Sequence, residues 1–195
     1  MRCQNFIFIV LTLFMSCTIK KNDSDKKIEN NISEKVNTTS SFFPVTDFIK
    51  GEINKIKTLG KNPIKYSYKK GITIDSNWIK LESVDIEFSD FTSPKIDSLN
   101  DAQSYLESVF FDNTINAFTF SYDLKENHKV SRPWKHWDIY INPESNCVSR
   151  IYLVKQIDSN ISKQLTWIPE KSCKIITIKS DENTSDILDE ISIKW

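Results

Sequence analysis

Glycine is almost absent from this chain, with three residues in 195. Glycine-rich phosphate loops need several positions without a Cβ so that backbone amides can approach the anion, and such loops are therefore excluded. Histidine is as scarce, with two residues, and a multi-histidine metal centre has nothing to be built from. Charge of one sign is lacking too: 26 basic and 26 acidic side chains give a formal net charge of zero. No basic stripe with interleaved aromatics is present, so nothing in the sequence points to nucleic acid as a partner. The conspicuous apolar run, Phe6 to Met15, would span roughly 15 Å as a helix. A bilayer core is about 30 Å thick, so this run is too short to cross it.

What is present reads as an address followed by one domain. Phe6–Met15 has the length of the apolar segment of a secretory signal, preceded by Arg2 and the terminal amine and followed by the small Ser16. Residues 18–41 contain only Ile19, Ile28, Ile32 and Val36 as apolar side chains. Such a segment cannot bury enough surface to offset its ordering entropy, and it is expected to be a solvated tether with a reach of about 27 Å. Residues 42–195 are long enough for one substantial core.

The segment Leu13-Phe14-Met15-Ser16-Cys17 resembles the lipobox of bacterial lipoproteins of Gram-negative type, with Phe14 where leucine is usual. The resemblance covers residues 1–17. It implies removal of residues 1–16, lipid on Cys17, and a cell-envelope location, outer membrane included, with the membrane itself as a partner. Two or three acyl chains would hold firmly where one binds only marginally, since each buried CH₂ contributes about 0.8 kcal/mol. No cofactor is implied.

Within the domain, Val45, Phe48, Ile49, Ile53, Ile56 and Leu59 recur at helical spacing, and Gly60 and Pro63 stop the helix. Residues 64–68 and 72–74 flank Lys69-Lys70-Gly71 as a hairpin. Residues 83–91 fit helix or strand, with helix preferred, and Asn100–Phe110 is expected to be helical. Strands follow at 115–122, 134–141, 147–157, 163–168 and 173–179, and the tail 184–195 fits either state. The fold class expected is α+β, with N-terminal helices packed on a C-terminal antiparallel meander.

The turn Asn142–Asn146 allows a register to be written. If Ile141 faces Cys147, then Tyr140 faces Val148, Asp138 faces Arg150 and His136 faces Tyr152. Alternation along strands puts Trp137, Ile139, Ile141, Ile151, Leu153, Leu165 and Trp167 on a core face. The opposite face collects Trp134, His136, Asp138, Tyr140, Arg150 and Tyr152. Flat aromatic rings beside fixed polar groups suit a small-molecule ligand, a glycan among them, or a protein partner. The same face is also what an ordinary solvated sheet surface with a cross-strand ion pair looks like.

His136 and Asp138 do not make a catalytic dyad by spacing alone, being about 7 Å apart along a strand, and Ser149 falls on the other face. His128 belongs to a charged loop. The acids Asp181, Glu182, Asp186, Asp189 and Glu190 lack the alternating ligands and glycine of a calcium loop. Cys147 and Cys173 would pair by default in an oxidising compartment. One intervening strand, however, sets them about 9.5 Å apart, beyond disulfide reach. The leading expectation is a non-enzymatic envelope lipoprotein that binds a ligand or protein. The alternatives are a glycan-acting envelope enzyme and a structural or inhibitory partner of another envelope protein.

Overall fold

The computed structural model describes residues 42–69, 71–96, 101–128, 132–182 and 184–195. The expectations for residues 1–16, for Cys17 and for the tether lie outside the described residues. The chain divides into two units, Met1–Thr38 and Thr39–Trp195, and the second contains everything that follows.

Helix α1 runs from Val45 to Thr58 and buries Val45, Ile49, Ile53 and Ile56. Its buried stripe is narrower than the sequence suggests, because Leu59 is largely exposed and Phe48 is only partly covered. The helix ends in a Schellman arrangement: Gly60 takes φ +60°, its N–H bonds the Lys57 carbonyl, and the Lys61 N–H bonds that of Ile56.

Among the described residues, nine strands form one sheet: β1 (Ile64–Lys69), β2 (Ile72–Trp78), β3 (Tyr105–Asp112), β4 (Ala117–Leu124), β5 (Trp134–Ile141), β6 (Val148–Gln156), β7 (Ile161–Ile168), β8 (Ser172–Ser180) and β9 (Ser185–Lys194). Their order is β2-β1-β9-β8-β7-β6-β5-β4-β3, and all the pairings are antiparallel. Strands β3 to β9 follow one another as a meander, while the β1–β2 hairpin joins the far side of β9. Between β2 and β3 lie the short helices α2 (Val84–Glu87) and α3 (Ser89–Thr92).

Two expectations need correction. The helices do not precede the sheet as a block, since β1 and β2 stand between α1 and α2 and belong to the same sheet. Asn100–Phe110 is not a helix: Ala102–Ser104 is one 3₁₀ turn, and β3 begins at Tyr105. Its alternation, with Tyr105 buried and Glu107 bonded by Tyr122, belongs to a strand, and β-branched and aromatic residues at 109–111 favour one. The 83–91 segment is helical, with Val84, Phe88 and Phe91 fully buried. The tail is strand β9.

One side of the sheet and the helices share a core containing Ile49, Ile53, Phe88, Phe91, Trp137, Ile139, Ile151, Leu153, Leu165 and Trp167. Trp137 is packed by Phe42, Tyr105 and Tyr122, with ring centroids 5.6, 4.3 and 5.3 Å away. Acids of the two short helices reach bases on three different elements: Asp85 to Lys57 at 2.7 Å, Glu87 to Lys65 at 2.9 Å and Asp90 to Lys163 at 2.6 Å. Exposed pairs like the first contribute little energy, but together they fix how the short helices lie on the sheet. Cys147 is exposed and Cys173 buried, and both are free. Strand β7 separates β6 from β8, and burial pushes the Cys173 thiol well above its ordinary range.

Candidate functional site

The β5–β6 register differs from the expected one by two residues. The turn closes between Asn142 and Cys147, through the Asn142 N–H to the Cys147 carbonyl. The Asn142 side chain accepts from the amides of Glu144 and Ser145, and Asn146 takes φ 53°. Pairing then starts at Ile141 with Val148, a bulge follows, and Tyr140 faces Arg150, Ile139 faces Ile151 and Asp138 faces Tyr152. An offset of two keeps each side chain on its expected face, because the strand period is two. It changes the partners. Arg150 stacks over the Tyr140 ring at 4.5 Å instead of standing opposite Asp138.

A second bulge, between Trp134 and His136, overturns one assignment. The extra residue turns Trp134 to the core side. There it is 3% exposed and donates its indole N–H to the Pro94 carbonyl at 2.9 Å. Trp134 is therefore not part of the outer face. His136, Asp138, Tyr140, Arg150 and Tyr152 remain on it.

Strand β4 adds residues that sequence reasoning missed, because its pairing with β5 could not be written without a turn of known length. Asp123 faces His136, Ser121 faces Asp138 and Thr119 faces Tyr140. His136 lies between two carboxylates, with Nδ1 2.8 Å from Asp123 and Nε2 3.0 Å from Asp138. The spacing along the strand suggested that His136 and Asp138 stay apart, but their side chains lean together and meet. Both imidazole nitrogens must donate to make both contacts, which defines the protonated ring. The hydrogen bond to Asp138 is the main cause that raises the His136 pKa; burial opposes it, and Asp123 adds to it.

Asp138 is the hub. Burial works to raise its pKa, yet donation from His136, Ser121 and Tyr140 outweighs this and holds it below the ordinary carboxylate value. The Tyr140 hydroxyl donates to it at 3.1 Å, and burial, then the Asp138 charge, push the Tyr140 phenol up to about 12. The Tyr152 ring stands beside His136, centroids 6.2 Å apart. Next to this network the Thr119 hydroxyl is buried without a hydrogen-bond partner. An imidazolium with both N–H groups committed has no lone pair for accepting a proton. The cluster thus offers charge, hydrogen bonding and ring faces.

The remaining sequence candidates lie elsewhere. Ser149 donates to the Tyr140 carbonyl, and His128 ends a 3₁₀ turn, Glu126–His128. Glu190 pairs with Lys174 at 2.8 Å and Asp181 with Lys179 at 3.6 Å. Among the described residues, no group of three or more His, Cys, Asp and Glu is placed to hold a metal ion, and no helix is long and apolar enough to cross a membrane. A separate hollow of about 490 Å³ lies beside α1, lined by Phe43, Phe48, Glu52, Val148 and Glu170 among others. No known family, curated protein or solved structure matches the chain.

The charged network sets a pH dependence. A histidine with a raised folded pKa contributes stability fully below its unfolded value of about 6.5, and this is lost as pH rises through the folded value. Asp138, with a lowered pKa, contributes above about 3.9 and loses its contribution as pH falls through the folded value. The network is thus most stabilising between about pH 4 and 6.5. Urea midpoints measured from pH 5 to 9 are expected to fall on the alkaline side, and His136→Gln is expected to flatten that limb. An unchanged slope in the variant would show that His136 is not the group responsible.

Proposed function

We propose that this chain is a membrane-anchored envelope lipoprotein, tethered through lipid on Cys17, whose α+β domain binds a small molecule or protein through the outer face of β4, β5 and β6. The segment Leu13–Cys17 supports the anchor by its resemblance to a lipobox. The observation that carries the binding reading is the Arg150–Tyr140 stack set against the Asp123–His136–Asp138 chain. It combines a fixed positive edge, fixed acceptors and two aromatic rings on one face of the sheet. Polyhydroxylated rings are recognised by that combination, through stacking on aromatic faces and directional bonds to fixed polar groups, and a glycan is the ligand class favoured.

Two measurements test the two parts. Intact mass and detergent phase partitioning of wild type and Cys17→Ala are expected to show an acylated chain beginning at Cys17 for the first and an unacylated, water-phase chain for the second. A glycan array, with hydrolysis followed in parallel, is expected to give binding without turnover, reduced at least tenfold in Tyr140→Ala/Tyr152→Ala. Turnover would favour the enzyme alternative. Undiminished binding by the double variant would move the site off this face.

A further inference from the structure

Strand β3 closes one edge of the sheet, and besides Glu107 and Ser108 its exposed side chains are apolar, with some on each face. Opposite-residue pairing with β4 puts Val109 and Phe111 on the core side with Phe118 and Phe120, and Leu106 and Phe110 on the outer side. Leu106 is 60% exposed, Val109 54% and Phe110 48%. A partner covering one face of a sheet would account for one of these rows. Continuation of the sheet accounts for both, since an added strand sets side chains beside β3 on each face.

Natural edges are usually blunted by lysine, proline, bulges or shortness. Strand β3 runs through eight residues, YLESVFFD, with no lysine or proline, pairs with β4 without a register shift, and has its one mid-strand charge, Glu107, engaged by the Tyr122 hydroxyl. The opposite edge strand, β2, also exposes apolar side chains (Ile72, Ile74 and Trp78), but its register against β1 is irregular.

We infer that β3 pairs antiparallel with β3 of a second copy of this chain, about a two-fold axis at Ser108, extending the sheet across both copies. The occupant follows from self-complementarity. In that register Glu107 stands opposite Val109 of the second copy, Leu106 opposite Phe110, and Tyr105 opposite Phe111. No carboxylate faces another, Glu107 is held back by the Tyr122 hydroxyl at 2.8 Å, and apolar side chains meet on both faces. A shift that centred the pairing on Glu107 would set like charges opposite each other. A chain with zero formal net charge also has no overall self-repulsion to overcome. The interface is isologous, as closed dimers require, and it is independent of the ligand reading above.

The test uses the full chain as expressed, in whole cells, with Ser108→Cys in a Cys147→Ser background. Directly opposed residues in such a pair lie about 4.5–5.5 Å apart at Cα, within disulfide reach. Mild oxidation is expected to convert half or more of the chain to a reductant-sensitive dimer, whereas the parent and Ser76→Cys on β2 stay monomeric. Phe110→Lys, which puts a cation opposite Leu106 of the second copy, is expected to reduce the cross-link at least tenfold. Sedimentation of the purified chain should give two chains for wild type and one for Phe110→Lys. Monomeric wild type overturns the dimer, as does a cross-link to a chain of another mass. A dimer by sedimentation that Ser108→Cys fails to trap overturns the register.

Discussion

Trp167→Ala is expected to cost about 3–5 kcal/mol, among the largest single losses available in this fold. Trp167 has no exposed surface, and three rings pack on it: Phe88 at 5.3 Å, Phe91 at 5.2 Å and Trp195 at 5.0 Å between centroids. Those rings come from the short-helix segment and from the residue that follows β9, so one indole joins both of these parts of the domain to β7. Removing it leaves a void that elements fixed by the sheet ladder cannot collapse to fill, and the cost of a cavity scales with how little its walls relax. Chemical denaturation should show the loss as a lower midpoint with an unchanged slope. Trp167→Phe is expected to cost only roughly 1–2 kcal/mol. It keeps an aromatic ring, and it removes an indole N–H that is buried without a partner. Equal losses in the two variants would mean that neither a ring nor most of the volume suffices, and that the stability rests on the shape of the indole itself.

Asp138→Ala is expected to cost about 2–3 kcal/mol at pH 6, a large effect for a sheet face turned away from the core. The carboxylate is 14% exposed and accepts from His136, Ser121 and Tyr140. Its removal leaves three donors facing one another in a half-buried space and takes away the charge that keeps His136 protonated. The loss should shrink as pH rises and His136 deprotonates in wild type as well. Asp138→Asn should fall between wild type and alanine, because it keeps an acceptor oxygen but no charge. Proton NMR of the His136 ring provides the direct check: its titration midpoint should drop in both variants. An unmoved midpoint would assign the raised value to Asp123 alone.

The core was largely legible in the strand periodicity. Trp137, Ile139, Ile151, Leu153, Leu165 and Trp167 were assigned to one face by alternation, and each is fully buried. That assignment survived a register error, because an error of two residues preserves faces. The site was less legible for the same physical reason turned around: partners depend on the register itself, and two bulges set it. A bulge is one unpaired residue with no composition of its own, and it removed Trp134 from the face that alternation gave it. Strand β3 was misread as helix because Ala102, Leu106, Val109 and Phe110 also fall at helical spacing, and a short apolar pattern serves both periods. Its exposure on both sides, the feature that distinguishes an edge strand, appears only once its neighbours are known.

The pairing of β1 with β9 bears on when this molecule can become itself. Ile64 lies opposite Lys194 and Ser67 opposite Ile191, so the hairpin at β1 and β2 waits for a strand made much later along the chain. Until then β1 and β2 are a two-stranded ribbon, which is marginal on its own. Contacts this distant in sequence raise contact order and slow the search for the native state. A nascent chain held on the ribosome short of Ser185 would have its meander but not its full sheet. Completion of the sheet therefore waits until β9 has emerged, and a chain without β9 would leave its first hairpin unsupported.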